Sequence, residues 1–356
     1  MKKFLVLLLV FALLFTLVAC SGGGEETGTE EPEEGAEETE ETGDLPAIGV
    51  TIYKFDDNFM SFVRRAIESN ADGLAEIDIQ DSQNDQGKQN EHVDMMISRG
   101  VKSLAINLVD PQAAATIIEK AEAADLPVIF FNKEPDPADM ASYDKAWYVG
   151  TNSAESGIMQ GQLIVDAWKA NPDWDTNGDG KIQYVLLKGE PGHPDAEART
   201  KYAVDTIVEA GIEVEELELQ TGMWDSAKGT ELMDAWLSKH GDNIEFVIAN
   251  NDAMALGAIN SLRANDYFVG DKFMPVVGVD AIPDALTQIE EGIMVGSVLN
   301  DAANQGKATV ELALNVANGK DVLDGTSWEL DENKAVRVPY LIITLDNIAE
   351  AQAAYE

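Results

Sequence analysis

The chain has 356 residues, 45% of them hydrophobic, which allows a sizeable buried core and suggests about two domains. Lys and Arg number 24 against 65 Asp and Glu, a formal net charge of -41, and so acidic a chain excludes a nucleic-acid partner, which needs a basic surface. The single cysteine rules out a disulfide within the chain, so the fold must rely on its core.

Lys2 and Lys3 precede an apolar run from Phe4 to Ala19. Charge followed by a run short for a membrane span reads as an export signal over residues 1–19, not a permanent helix. The run ends in Leu17-Val18-Ala19-Cys20, which resembles the lipobox of bacterial lipoproteins. That resemblance implies cleavage before Cys20, a lipid on Cys20, and an extracytoplasmic protein anchored to the cell or outer membrane by lipid alone. The alternative is an ordinary signal peptide with a chance cysteine. Residues 20–44 then form a tether rich in Gly, Glu and Thr. It has too little apolar surface to offset the entropy of ordering, and its like charges extend it.

The body begins near Leu45. Ala47 to Tyr53 is strand-like, and Asn58 to Ser69 has helical spacing of Phe59, Phe62, Val63 and Ile67. Ile77 to Ile79 is a short strand, and Gln89 to Ser98 is a helix stopped by Gly100. Leu104 to Ile106 is a strand, Ala113 to Ala124 a helix, and Pro127 to Phe131 a strand. After a less regular middle the rhythm resumes. Strands are expected at Ile182 to Leu187, Val214 to Leu219, Phe246 to Ala249 and Pro275 to Val279. Helices are expected at Ala196 to Ala210, Ala227 to Leu237, Asp252 to Leu262 and Ile282 to Glu290. Two sets of βα units predict an α/β fold of two similar domains with mainly parallel sheets covered by helices. Ligands of such sheets bind beyond the carboxyl ends of the strands, which puts a site between the domains.

Five uninterrupted stretches carry a resemblance. They run from Gly49 to Met60, Asp81 to Gln86, Phe130 to Pro135, Gly189 to Thr200 and Ile248 to Met254. In these the body, from about Ile48 to Ala349, resembles the bacterial periplasmic galactose/glucose-binding family of sugar ABC-transporter substrate-binding proteins. The resemblance implies a periplasmic-binding-protein type I fold, with two three-layer αβα domains joined by a three-segment hinge. One domain would be 45–151 plus 301–335. The other would be 152–300 plus 336–356 and would carry a calcium loop.

A sugar offers apolar C–H faces and a rim of hydroxyls, so its site needs aromatic plates and planar hydrogen-bonding groups. The resemblance makes Phe59 and Trp224 the two plates. It makes Asp57, Asn132, His193, Asp195, Arg199, Asn251, Asp280 and Asn300 the hydroxyl partners. From sequence alone each has a plainer reading. Phe59 and Trp224 could be core residues, Asp57 a carboxylate at a helix start, and Asn132 a turn asparagine. Asp195 and Arg199, four apart on one helix face, could be a surface ion pair. The family association of Asp57 with either orientation of the fourth hydroxyl implies that both D-glucose and D-galactose bind. The epimer preference cannot be read from the residues, and another monosaccharide such as xylose is an alternative.

Asp175, Asn177 and Asp179, with Gly180 next, follow positions 1, 3, 5 and 6 of an EF-hand loop. Lys181 at position 7 would contribute its backbone carbonyl. The pattern fails at position 12, which is Leu186, and the resemblance supplies Gln183 and the distant Glu245 instead. The expected cofactor is a structural Ca2+; the alternative is an Asx- and Gly-rich turn without metal.

Enzymatic turnover is not expected. The candidate groups include neutral amides and two rings, which suits equilibrium binding, and no phosphate-cradling Gly motif is present. The expected protein is a monomer that delivers its sugar to an ABC permease and ATPase on other chains. A chemotaxis receptor or sensor is the alternative recipient.

Overall fold

The structure, a computed structural model, describes residues 45–355. The export signal, Cys20 and the tether lie outside the described residues.

The chain first lays down β1 (Ala47–Ile52), α1 (Asn58–Ala71), β2 (Glu76–Asp81), α2 (Gln86–Arg99), β3 (Ser103–Ile106), α3 (Ala114–Ala123), β4 (Val128–Phe131), α4 (Pro137–Ala141) and β5 (Ala146–Gly150). It continues with α5 (Ser153–Ala170), β6 (Lys181–Lys188), α6 (Pro194–Glu209), β7 (Glu213–Thr221), α7 (Ser226–His240), β8 (Phe246–Ala249), α8 (Asp252–Ala264), β9 (Val276–Val277), α9 (Pro283–Glu290) and β10 (Ser297–Leu299). It closes with α10 (Ala302–Ala317), β11 (Ala335–Arg337), β12 (Leu341–Ile343) and α11 (Ile348–Ala353).

Two sheets result. The first has the order β11-β5-β4-β3-β1-β2, and all its pairings are parallel. The second has the parallel order β7-β6-β8-β9. Single parallel bridges, Val277 to Gly296 and Asp280 to Leu299, carry it towards β10, which pairs antiparallel with β12. The expected strand at Pro275 to Val279 shrinks to Val276–Val277, because its neighbours beyond Val277 meet through bridges only.

Helices cover both faces, so the central strands read as unbroken apolar runs. In β4, Ile129 and Phe131 join the cluster under α1 and α10, while Val128 and Phe130 join the one under α2 and α3. The second sheet divides likewise, with Val185 and Leu187 on one face and Tyr184 and Leu186 on the other. The acidic excess gathers partly on an edge. β7 presents Glu213, Glu215, Glu216 and Glu218, a charge row that discourages pairing with another chain.

The chain passes between the lobes three times. The first passage follows β5 at Thr151 and Asn152, after which α5 packs on α6. The second follows β10, after which α10 packs on α1 and the first sheet. The third needs a correction: the expected boundary after residue 335 cuts through β11, whose Val336 and Arg337 pair with Val149 and Gly150 of the first sheet. The passage therefore runs after Arg337 and reaches β12 through Tyr340.

Candidate functional site

The ends of these strands converge on one cavity between the lobes. Its lining includes Asp57 and Phe59 after β1, Asn132 after β4, and His193, Asp195 and Arg199 after β6. Trp224 follows β7, Asn251 follows β8, Asp280 follows β9 and Asn300 follows β10. All ten side chains singled out in the sequence meet there, joined by Tyr53 and Met60, which were not foreseen. Tyr53 directly follows β1, four residues before Asp57. That spacing was the available signal, but an aromatic at a strand end also reads as core.

Two local devices aim these residues. Several are helix caps. Asp57 accepts from Met60 N at 2.7 Å, His193 Nδ1 from Asp195 N at 3.1 Å, and Asn251 Oδ1 from Met254 N at 3.0 Å. Others sit on left-handed backbone: Asn132 at φ 62°, Trp224 at φ 63° and Asp280 at φ 118°. Asparagine tolerates the left-handed region, but tryptophan there, and Asp280 beyond it at φ 118°, carry strain, which a packed surround must sustain. Gly189 leaves the room for Trp224; a Cβ at 189 would lie 2.1 Å from the indole Cη2.

The polar atoms can be accounted for one by one. Arg199 is buried at 2% exposure and has five N–H donors. Nε donates to Ser156 Oγ at 3.1 Å and Nη1 to the Asn250 carbonyl at 2.8 Å. Nη2 donates to Asp195 Oδ2 at 3.0 Å and to the Tyr340 hydroxyl at 3.2 Å. One Nη1–H is left over on the side of Asp280, whose Oδ1 lies 3.8 Å away. The Asp195–Arg199 pair is thus a buried pair, not a surface one. Asp195 Oδ1 also accepts from Ser153 Oγ at 2.5 Å.

Asp57 Oδ2 accepts from the Tyr53 hydroxyl at 2.7 Å. Asn300 Nδ2 donates to Asp280 Oδ1 at 3.2 Å, and Asn300 Oδ1 accepts from Gln305 at 2.6 Å. Asn132 Oδ1 accepts from Asn107 at 3.2 Å, leaving its amide N–H groups for the cavity. His193 stands edge-on to Trp224 with ring centroids 5.2 Å apart. Phe59 lines the cavity and also packs in the core of the first lobe.

Burial sets the charges. It pushes His193 down to about 3, so the imidazole is neutral; Nδ1 accepts the cap bond and Nε2 carries the proton. Burial raises Asp57 and raises Asp280 well above the usual carboxylate range, the latter against the pull of Arg199. For Arg199 burial works against the charge, but Tyr340, Asp195 and Asp280 outweigh it and hold the guanidinium protonated.

The expected calcium loop lies between α5 and β6. Asp175 Oδ1 accepts from Gly178 N and Asp179 N, and Oδ2 from Gly180 N. Asn177 Oδ1 accepts from Asp179 N, and Asp179 Oδ1 from Lys181 N. Glu245 reaches the loop, accepting from Thr176 N at 2.7 Å and from Gln183 N at 3.3 Å. Gln183 donates to Asp179 Oδ2, while its own Oε1 is buried without a partner. The Lys181 side chain turns away to Glu213 at 3.6 Å. Among the described residues no three acidic, histidine or cysteine side chains gather as a metal group. The carboxylates here are instead turned onto loop amides. The donor set is nonetheless all oxygen, as a hard cation requires, and the orphaned Gln183 Oε1 suits one further bond.

Residues 48–321 match the family described as a periplasmic binding protein domain. The D-galactose/methyl-galactoside binding periplasmic protein of Haemophilus influenzae is 53% identical over 306 residues, which cover 85% of this chain and 91% of that protein. The ribose import binding protein of Bacillus subtilis is 28% identical over 324 residues, covering 90% and 95%. An ABC transporter solute binding protein of Bacillus halodurans, solved with bound myo-inositol, superposes with a TM-score of 0.74 at 30% identity, covering 88% of this chain and 99% of that one.

Proposed function

The chain belongs to the periplasmic binding protein domain family, and from that premise we propose that it is an extracytoplasmic receptor that closes its two lobes on D-glucose or D-galactose and presents the sugar to an ABC importer. The observation that carries this reading is the meeting of two aromatic rings and eight polar side chains in one interdomain cavity. Phe59 and Trp224 suit the apolar C–H faces of a pyranose. His193 Nε2–H, the spare Arg199 N–H and the Asn132 amide are donors with no protein partner; Asp280, Asp195 and Asp57 keep lone pairs for hydroxyl protons. Asp57 is steadied by both Met60 and Tyr53, which supports its acceptance of a fourth hydroxyl in either orientation. The galactoside name of the Haemophilus relative favours a hexose.

The family is a binding family, and the site suits binding without turnover. Asp57 and Asp195 already accept bonds at both oxygens, so neither is poised to deliver a proton. Titration calorimetry with D-glucose, D-galactose, ribose, xylose and arabinose tests the reading. Micromolar or tighter binding of a hexose is expected; tight binding of a pentose alone would overturn it.

Two finer assignments belong to the same proposal. Cys20 carries a lipid that holds the body at the membrane through the 20–44 tether. Mass spectrometry of the mature protein should find an acylated Cys20, and an unmodified or uncleaved N-terminus would count against it. Asp175, Asn177, Asp179, the Lys181 carbonyl, Gln183 and Glu245 hold a Ca2+ that neutralises the loop and pins it to β6. Chelation should lower the melting temperature, calcium should restore it, and sugar affinity should barely move. A melting temperature indifferent to both would remove the metal from the proposal. Delivery to a chemotaxis receptor remains the rival output, and it predicts binding to a receptor ectodomain in place of a permease.

A further inference from the structure

Two of the three passages between the lobes meet at one hydroxyl. Tyr340, on the third passage, is 4% exposed. Its hydroxyl lies 2.8 Å from Thr151 Oγ1, on the first passage, which is equally buried. The same hydroxyl accepts from Arg199 Nη2 at 3.2 Å. The two passages are also joined where Arg337 donates to the Thr151 carbonyl at 2.8 Å, but of the two only Tyr340 also bonds a residue that lines the cavity, Arg199.

We propose that Tyr340 is a positioning residue that couples ligand recognition to lobe closure, by tying Arg199 to Thr151 only when the hinge is in its closed arrangement. The inference rests on reading the cavity as a sugar site. Opening turns the backbone of each passage by its own amount, so the distance between hydroxyls on two passages changes with the hinge. When it lengthens, a buried guanidinium N–H or a buried hydroxyl loses its partner, which is costly away from water. A ligand that fixes Arg199 from the cavity side therefore favours the state in which Tyr340 is satisfied from the hinge side. That is a coupling between ligand and hinge. Burial keeps the phenol up at about 12, so it has its proton across the working pH range.

The test uses the full chain and four variants: Tyr340→Phe, Thr151→Val, Thr151→Ser and the double Tyr340→Phe/Thr151→Val. The first readout is D-glucose affinity by calorimetry. The second is the distance between spin labels at Glu122→Cys on α3 and Glu209→Cys on α6, with and without sugar. Tyr340→Phe and Thr151→Val should each weaken binding about tenfold and shift the sugar-free distances towards the open state. Thr151→Ser should keep both readouts, and the double variant should be no worse than the weaker single. Affinities and distances within about twofold of the parent in both single variants, or losses that add in the double, would overturn the coupling. If the parent binds neither glucose nor any other sugar, the sugar reading fails alone. The sugar-free distances still decide the hinge tie: unchanged distances in both single variants refute it.

Discussion

His193 does two jobs with one ring. Nδ1 caps α6, which leaves Nε2–H facing the cavity. Because burial holds the ring down at about 3, it stays neutral through the physiological range. Its NMR shifts are expected to be flat from pH 5 to 8, and a titration near 6.5 would contradict that assignment. Trp224 depends on its neighbour Gly189, since a methyl there would strike the indole. Trp224→Ala and Gly189→Ala should each weaken sugar binding by at least about tenfold in calorimetry, the first by removing the plate and the second by displacing it. Unchanged affinity in both would remove stacking from the account. At this scale the sequence was informative because caps and strand-end turns are local features. Asp57, Asn132 and Trp224 stand at strand ends and turns that the sequence marks, though only the resemblance singled them out from their plainer readings. Tyr340 does not, because its meeting with Thr151 spans 189 residues of chain.

Helix α5 shows where element reading fails. The sequence pattern places residues 153–170 in a less regular middle, yet they form an 18-residue helix. The first half of its buried face is Ser156, Gly157, Gln160 and Gly161, so large apolar side chains mark only its second half, from Leu163 to Trp168. Gly157 and Gly161 lie against the backbone of α6; a Cβ at 161 would come within 2.6 Å of the Ala203 carbonyl. Gly161→Ala should therefore destabilise by about 1–3 kcal/mol in urea unfolding, despite the better helix propensity of alanine. A neutral or stabilising result would mean that the helices can part without cost. Helix α10 escaped for the same reason, since its Gly306 sits against Ala66 and Ile67 of α1. Helices α1 and α2 were legible because Met60, Val63 and Ile67 mark an ordinary apolar stripe and Gly100 ends α2 in a left-handed turn.

For the whole molecule, the buried acids behind the cavity make stability depend on pH. Asp252 is raised by burial from 3.8 to about 7, with Ser297 and the Ile282 amide pulling the other way. The fold therefore holds a proton there that the unfolded chain releases near 4. Its contribution is full below about pH 4 and is lost as pH rises through about 7. The urea midpoint of the parent should fall between pH 4 and 7 relative to that of Asp252→Asn and run parallel to it above about 7; parallel curves throughout would remove Asp252 as the cause. The alternation of strands and helices, the polar strand ends and the oxygen-rich loop were determined by the sequence itself. Each is a matter of neighbours along the chain, where the spacing of side chains dictates local geometry. Which strand adjoins which was decided only by the tertiary structure. So was the place of Val336 and Arg337 in the first sheet, through pairing with a strand nearly two hundred residues earlier. The closing of ten side chains around one cavity, and the tie from Arg199 through Tyr340 to the hinge, have the same origin. Burial and packing bring distant segments together there, and no local pattern records them.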